Sequence, residues 1–105
     1  MVSVVRVGSH TLYVGRAGRG EAGTWGNYTT ARTALSYWAW FIQPEQLAYR
    51  TRFFATVQPH DKLGCFCVPH PCHADALAVY ANARFDGHSD SDACLAVQNM
   101  IESLG

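Results

Sequence analysis

The stretch KLGCFCVPHPCHADALAVYA, Lys62 to Ala81, places three cysteines and two histidines within the nine positions from Cys65 to His73. Thiols and imidazoles at that density allow three kinds of chemistry. Thiolates favour zinc or an iron–sulfur cluster, so Cys65, Cys67 and Cys72 with His70 or His73 form a candidate Cys3His metal set. The C-x-C-x4-C-H spacing is not that of a zinc finger, which supplies two well-separated ligand pairs. A thiol at the mouth of a helix instead feels the partial positive charge of the free amides there, which favours the thiolate. On that reading Cys72 is the nucleophile, His73 the general base and Asp75 the residue that orients it. The third reading is packing. Side chains alternate along a strand, so Cys65 and Cys67 share one face, and cysteine is among the residue types most often buried. Cys94, on an apolar seam of the last helix, is assigned to the core.

A second segment carries groups suited to an anion. GRAGRGEAGTWGN, Gly15 to Asn27, holds five glycines and no periodicity, and reads as a long loop. Gly15 lets backbone approach a ligand, while Arg16 and Arg19 offer planar guanidinium donors that bind phosphate in pairs. The segment lacks the Gly-Lys-Ser/Thr ending of a P-loop, which argues against ATP hydrolysis. Trp25 is suited either to stacking on a base or to anchoring the loop in the core. Gly26 and Asn27 follow it, with Asn27 able to cap a helix or bond to a ligand amide edge.

These residues need a frame. Val2–Val7 and Thr11–Gly15 read as two short strands joined at Gly8-Ser9-His10, an arrangement that suggests a hairpin, with a parallel arrangement as the alternative. From Thr29 the apolar residues Ala31, Ala34, Leu35, Trp38, Phe41 and Ile42 fall on one helix face. Pro44 opens a second helix with Leu47, Phe54 and Val57 expected inward. Lys62–Val68 fits a central buried strand, and helices follow from about His73 to Phe85 and from Ala93 to Leu104. The sum is a small single-domain α/β protein, a short sheet of about three strands packed with about four helices. In such sheets ligands bind beyond the carboxyl ends of the strands, where Cys72 and His73 fall.

Composition narrows the classes. The chain has 105 residues, 49% of them hydrophobic and 15% charged, which suits a folded domain of ordinary size. Net charge is zero, yet residues 1–52 carry six arginines against two glutamates, and residues 53–105 two cations against six carboxylates. A basic half beside an acidic half points to an anionic ligand rather than to generic DNA binding. No apolar run reaches the length of a membrane span and the first residues lack the pattern of a signal peptide, so a cytoplasmic protein without a membrane partner is expected. In that compartment the cysteines are expected to be free, metal-bound or catalytic rather than paired.

Three motifs, YVGR (Tyr13–Arg16), TWGN (Thr24–Asn27) and LGCFCVPHPCHADAL (Leu63–Leu77), resemble in order and spacing those of the domain of unknown function 4326, a family of bacteria and bacteriophages. The resemblance covers about Leu12 to Ala81. Two positions depart from the family pattern: Tyr28 stands where proline is usual after Trp-Gly-Asn, and Ala74 where glycine is usual after Cys-His. The resemblance implies that the Gly-Arg loop, the Trp-Gly-Asn motif and the Cys-His pair meet in space, and that the protein is of phage type; it brings no fixed activity.

The expected function is a crevice at the strand ends that binds a phosphate-bearing small molecule, a nucleotide or a nucleic-acid end, with chemistry from Cys72 and His73. The alternatives are a non-catalytic module holding zinc or an iron–sulfur cluster, and a phage effector that binds a host protein.

Overall fold

A computed structural model describes residues 1–14, 25, 34–65 and 72–104. Three strands, β1 (Ser3–Arg6), β2 (Leu12–Tyr13) and β3 (Lys62–Cys65), form one sheet. Its helices are α1 (Ala34–Phe41), α2 (Leu47–Thr56), α3 (His73–Phe85) and α4 (Asp90–Leu104), with a 3-10 turn over Pro44–Gln46 leading into α2. The small α/β architecture expected from the sequence is the one observed. No described helix is long and apolar enough to cross a membrane.

The sheet order is β1-β3-β2, and both outer strands run parallel to β3. The expected β1–β2 hairpin is therefore absent: β3 lies between them. Parallel strands of one sheet normally need a long crossover between them, yet only residues 7–11 separate β1 from β2. The strands are short enough for this link to cross β3 on one face. Gly8, at φ 114°, turns the chain, and the His10 ring then lies over Gly64. A Cβ built on Gly64 would meet His10 Cγ at 2.5 Å. Glycine is required here because the crossing chain fills the space of a side chain. Gly64→Ala is expected to cost about 1–3 kcal/mol, as overpacking does, read as a lower urea midpoint; an unchanged midpoint would mean that the crossing gives way freely.

Along β3, Leu63 and Cys65 are buried. In the ladder Val4 and Leu12 pair with Leu63, and paired residues share a face. Helix α3 brings Ala74, Ala76, Leu77, Tyr80 and Ala81, all buried. Its alanines allow close approach to the sheet and to α4, which buries Ala93 and Val97. Asn82 fixes α3 to the chain start by receiving the Val2 amide at 2.7 Å and donating to the Val2 carbonyl at 2.9 Å.

Helix α1 buries Tyr37, Trp38 and Phe41, but Leu35, expected inward, is exposed. On α2 and its C-cap, Phe54 is half-buried and Val57 buried as expected, but Leu47 is 49% exposed, and Tyr49, Arg50 and Phe53 are buried as well. Arg50 is buried because it has work at two helix ends. It donates to the carbonyls of Phe41 (2.6 Å), the last residue of α1, and Gln43 (2.9 Å), just beyond it, and to both carboxylate oxygens of Asp90 (2.9 and 3.1 Å), the first residue of α4. Helix ends leave such groups without intrahelical partners.

Candidate metal centre

Cys65 is the last residue of β3, Cys72 the N-cap of α3 and His73 its first residue. The end of the central strand and the start of the helix thus present two sulfurs and an imidazole to one another. All three side chains are buried, at 1%, 1% and 7% exposure. One ligand atom from each lies within 4.8 Å of the others.

Local backbone chemistry explains the arrangement. Cys72 has extended dihedrals, as an N-cap does, and its amide donates to Asp75 Oδ2 at 2.9 Å. The sulfur of Cys72 faces the Asp75 amide in return, closing a capping box. The Trp38 indole donates to the Cys72 carbonyl at 2.9 Å, so the residue is held from both sides. Asp75 was expected to orient His73; it caps the helix instead, because a carboxylate in the first turn reaches back to the N-cap. That carboxylate already occupies the positive end of α3, where the sequence suggested an anion. Cys72 and His73 were also expected at an open loop, yet α1 covers them with Trp38 and Tyr37.

His73 is oriented by the strand rather than by Asp75. Its Nε2 lies 2.5 Å from the carbonyl of Val14, the residue that follows β2. A carbonyl only accepts, so Nε2 carries the hydrogen, and in the neutral ring Nδ1 presents its lone pair toward Cys72 Sγ, 3.5 Å away. The Tyr37 ring packs edge-on against the imidazole at 5.2 Å.

Cys65 and Cys72 are joined by a disulfide, with Cα atoms 7.5 Å apart; the sequence had suggested no pairing. Cys94, assigned to the core, is half-buried on α4 and free. Burial pushes its thiol above the ordinary value.

Of the other candidates, Cys67 and His70 lie outside the described residues, as do Gly15, Arg16, Arg19, Gly26 and Asn27. Trp25 is described and buried, edge-on to Tyr49 and Phe53 with centroids at 5.3 Å. That is the anchoring role rather than an open stacking platform. Trp40, near the buried Trp38 along α1, is half-buried against Tyr37 and Tyr49. The Val14 carbonyl that holds His73 belongs to the last described residue before the Gly-Arg segment. Sequence reasoning missed Arg6, which pairs with Cys65 in the β1–β3 register and is exposed at the same carboxyl end. Only the parallel pairing brings it there; no spacing in the sequence marks it.

Residues 3–83 match the profile of a family described as Domain of unknown function (DUF4326). The match spans β1 through most of α3, and so every residue of the Cys–Cys–His group, but not α4. No curated protein and no solved structure matches the chain.

Proposed function

The chain belongs to the domain of unknown function 4326 family, a name that prescribes no activity, and from the geometry we propose that it is a zinc-binding domain whose ion sits between Cys65, Cys72 and His73. The observation that carries this reading is the His73 ring. Metal-bound histidines usually donate their second N–H to a carbonyl or carboxylate, which fixes the tautomer and aims the other nitrogen at the ion. His73 does this with Val14, and its Nδ1 points toward the sulfurs. Two further facts support it. The cysteine Cα atoms stand 7.5 Å apart, beyond the ~4.4–6.8 Å that a disulfide ordinarily bridges, and an interposed ion suits the wider span. Mixed sulfur and imidazole donors favour zinc, whereas iron–sulfur clusters draw on cysteine alone in most cases. Zinc takes four ligands, and the sequence between Cys65 and Cys72 offers Cys67 and His70 for the fourth position.

The ion would lock the end of β3 to the start of α3 and, through His73 and Val14, to the end of β2. Burial under Trp38 suits Cys72 to ligation better than to attack on a substrate. Protein purified with reductant is expected to hold close to one zinc per chain by elemental mass spectrometry. Cys72→Ser and Cys65→Ser should abolish it, and Cys94→Ser should leave it. Reduced protein refolded with zinc that retains none would end the reading.

A second reading concerns the ligand. Val14, which precedes the Gly-Arg segment in the sequence, meets His73, and Arg6 stands at the same strand ends. This supports a phosphate-bearing ligand, a nucleotide or nucleic-acid end, above the zinc centre. Arg6→Ala is then expected to weaken binding of a 5′-phosphorylated oligonucleotide several-fold and to flatten its salt dependence. Identical binding by both proteins would count against it.

A further inference from the structure

We infer that the centre is a peroxide-sensitive switch in which Cys65 and Cys72 alternate between zinc ligation and a mutual disulfide; this rests on the zinc reading above. The same two sulfurs serve both states, and the states exclude each other, because a disulfide removes two of the anionic ligands that hold the ion. The pairing is the one the structure displays, and the imidazole that completes the metal group stays beside it, tied to Val14. Little motion separates the two. Tetrahedral zinc with Zn–S bonds of about 2.3 Å holds its sulfurs about 3.8 Å apart, and a disulfide brings them to about 2.05 Å. Side-chain rotation covers most of that difference, and because the Cα separation of 7.5 Å lies beyond the ordinary disulfide span, a small backbone shift at the end of β3 or the N-cap of α3 completes it.

The oxidant is a hydroperoxide, small enough to reach sulfurs that are 1% exposed. One thiolate attacks the peroxide, breaking the O–O bond; the sulfur gains oxygen and one hydroxide leaves. The second thiolate then attacks that sulfur, forming the S–S bond and releasing the second hydroxide. Two thiolates and one hydrogen peroxide thus give one disulfide and two hydroxides, two electrons pass from sulfur to peroxide, and the zinc ion departs. The reverse step needs a dithiol reductant, which takes up the disulfide and restores both ligands. Cys94 lies outside the cycle: it is not part of the metal-ligand group, and its thiol is held protonated by burial.

The test uses the full chain in a Cys94→Ser background, reduced and loaded with zinc, with the zinc content measured first. One equivalent of hydrogen peroxide is expected to release the zinc stoichiometrically to a chromogenic chelator. Peptide mapping should then find a Cys65–Cys72 disulfide, and dithiothreitol should restore zinc uptake. No zinc at the first measurement sinks both the switch and the zinc reading. Zinc that is present but retained after peroxide overturns the switch alone. So does release with the disulfide mapped to Cys67, or with sulfinic acid and no disulfide.

Discussion

Arg50→Met is expected to destabilise the domain by about 3–5 kcal/mol, the cost of removing one partner from a buried charge network. Arg50 is 3% exposed and meets four acceptors: the Phe41 and Gln43 carbonyls and both oxygens of Asp90. Methionine keeps the length and apolar stem of the side chain and removes every donor. Among the described residues the Phe41 carbonyl then loses its Arg50 donor, and Asp90 keeps the Tyr80 hydroxyl, which donates to it at 2.6 Å. Against a total stability of roughly 5–15 kcal/mol for a domain of this kind, the loss is a large fraction. Arg50→Lys should recover part of it, since an ammonium supplies charge but not the planar fork that spans α1, α2 and α4. The network also sets a pH dependence. The hydrogen bond from Arg50 holds the Asp90 carboxyl below its ordinary value, against a smaller opposing effect of burial. A carboxylate whose folded value is depressed contributes stability that is complete above its unfolded value, near 3.8, and is lost as pH falls through the folded one. Urea titrations should therefore show Asp90→Asn weaker at neutral pH and approaching the parent in strong acid. A constant gap between the two at all pH values would disprove this linkage, and Arg50→Met within 1 kcal/mol of the parent would disprove the role of the guanidinium.

How far the sequence foretold this molecule depends on how local each feature is. The apolar runs and breakers located the three strands and four helices of the described residues, because spacing along the chain encodes which face of an element is buried. Pairing is not local. Gly8-Ser9-His10 has the composition of a hairpin turn, and nothing near it announces that residues 62–65 will enter between the two strands. In hindsight the signal was Gly64, a glycine in a central strand, which marks close approach by another piece of chain. Burial of Arg50 was hidden for a similar reason. A helical wheel counts apolar residues and sends arginine outward; the pull comes from carbonyls at the end of α1 and a carboxylate opening α4. At the site, the cysteine–histidine run was recognisable from residue type alone, and Cys65, Cys72 and His73 are brought together. The partner of His73 was not recognisable, since a backbone carbonyl leaves no mark in a sequence, and Asp75, the acidic residue nearby, was a reasonable but mistaken candidate for it.

The second large effect separates a metal centre from a purely disulfide-stapled one. Anything that binds the folded state alone adds stability that grows with the logarithm of its concentration over the dissociation constant, about 4 kcal/mol at a thousandfold excess. Stripping zinc from the reduced domain should cost at least that, a fall of roughly 15–30 °C in melting temperature for a chain of this length. The disulfide contributes less: it closes a short loop, with a sequence separation of 7, and such bonds are typically worth about 2–4 kcal/mol. Crossing a chelator with a reductant in one thermal series therefore gives a distinctive pattern. Reduced protein with zinc should melt highest, and reduced protein with chelator lowest. Oxidised protein should lie between them and ignore the chelator, since its sulfurs no longer bind an ion. A domain held by the disulfide alone would behave otherwise: reductant would lower its melting temperature by the same amount with or without zinc, and the chelator would change nothing in either state. His73→Ala sharpens the contrast. It removes a zinc ligand and leaves both cysteines, so it should lower the reduced, zinc-loaded melting temperature far more than the oxidised one. Equal losses in both states would make His73 a packing residue tied to Val14 and Tyr37, and would withdraw the observation on which the zinc assignment stands.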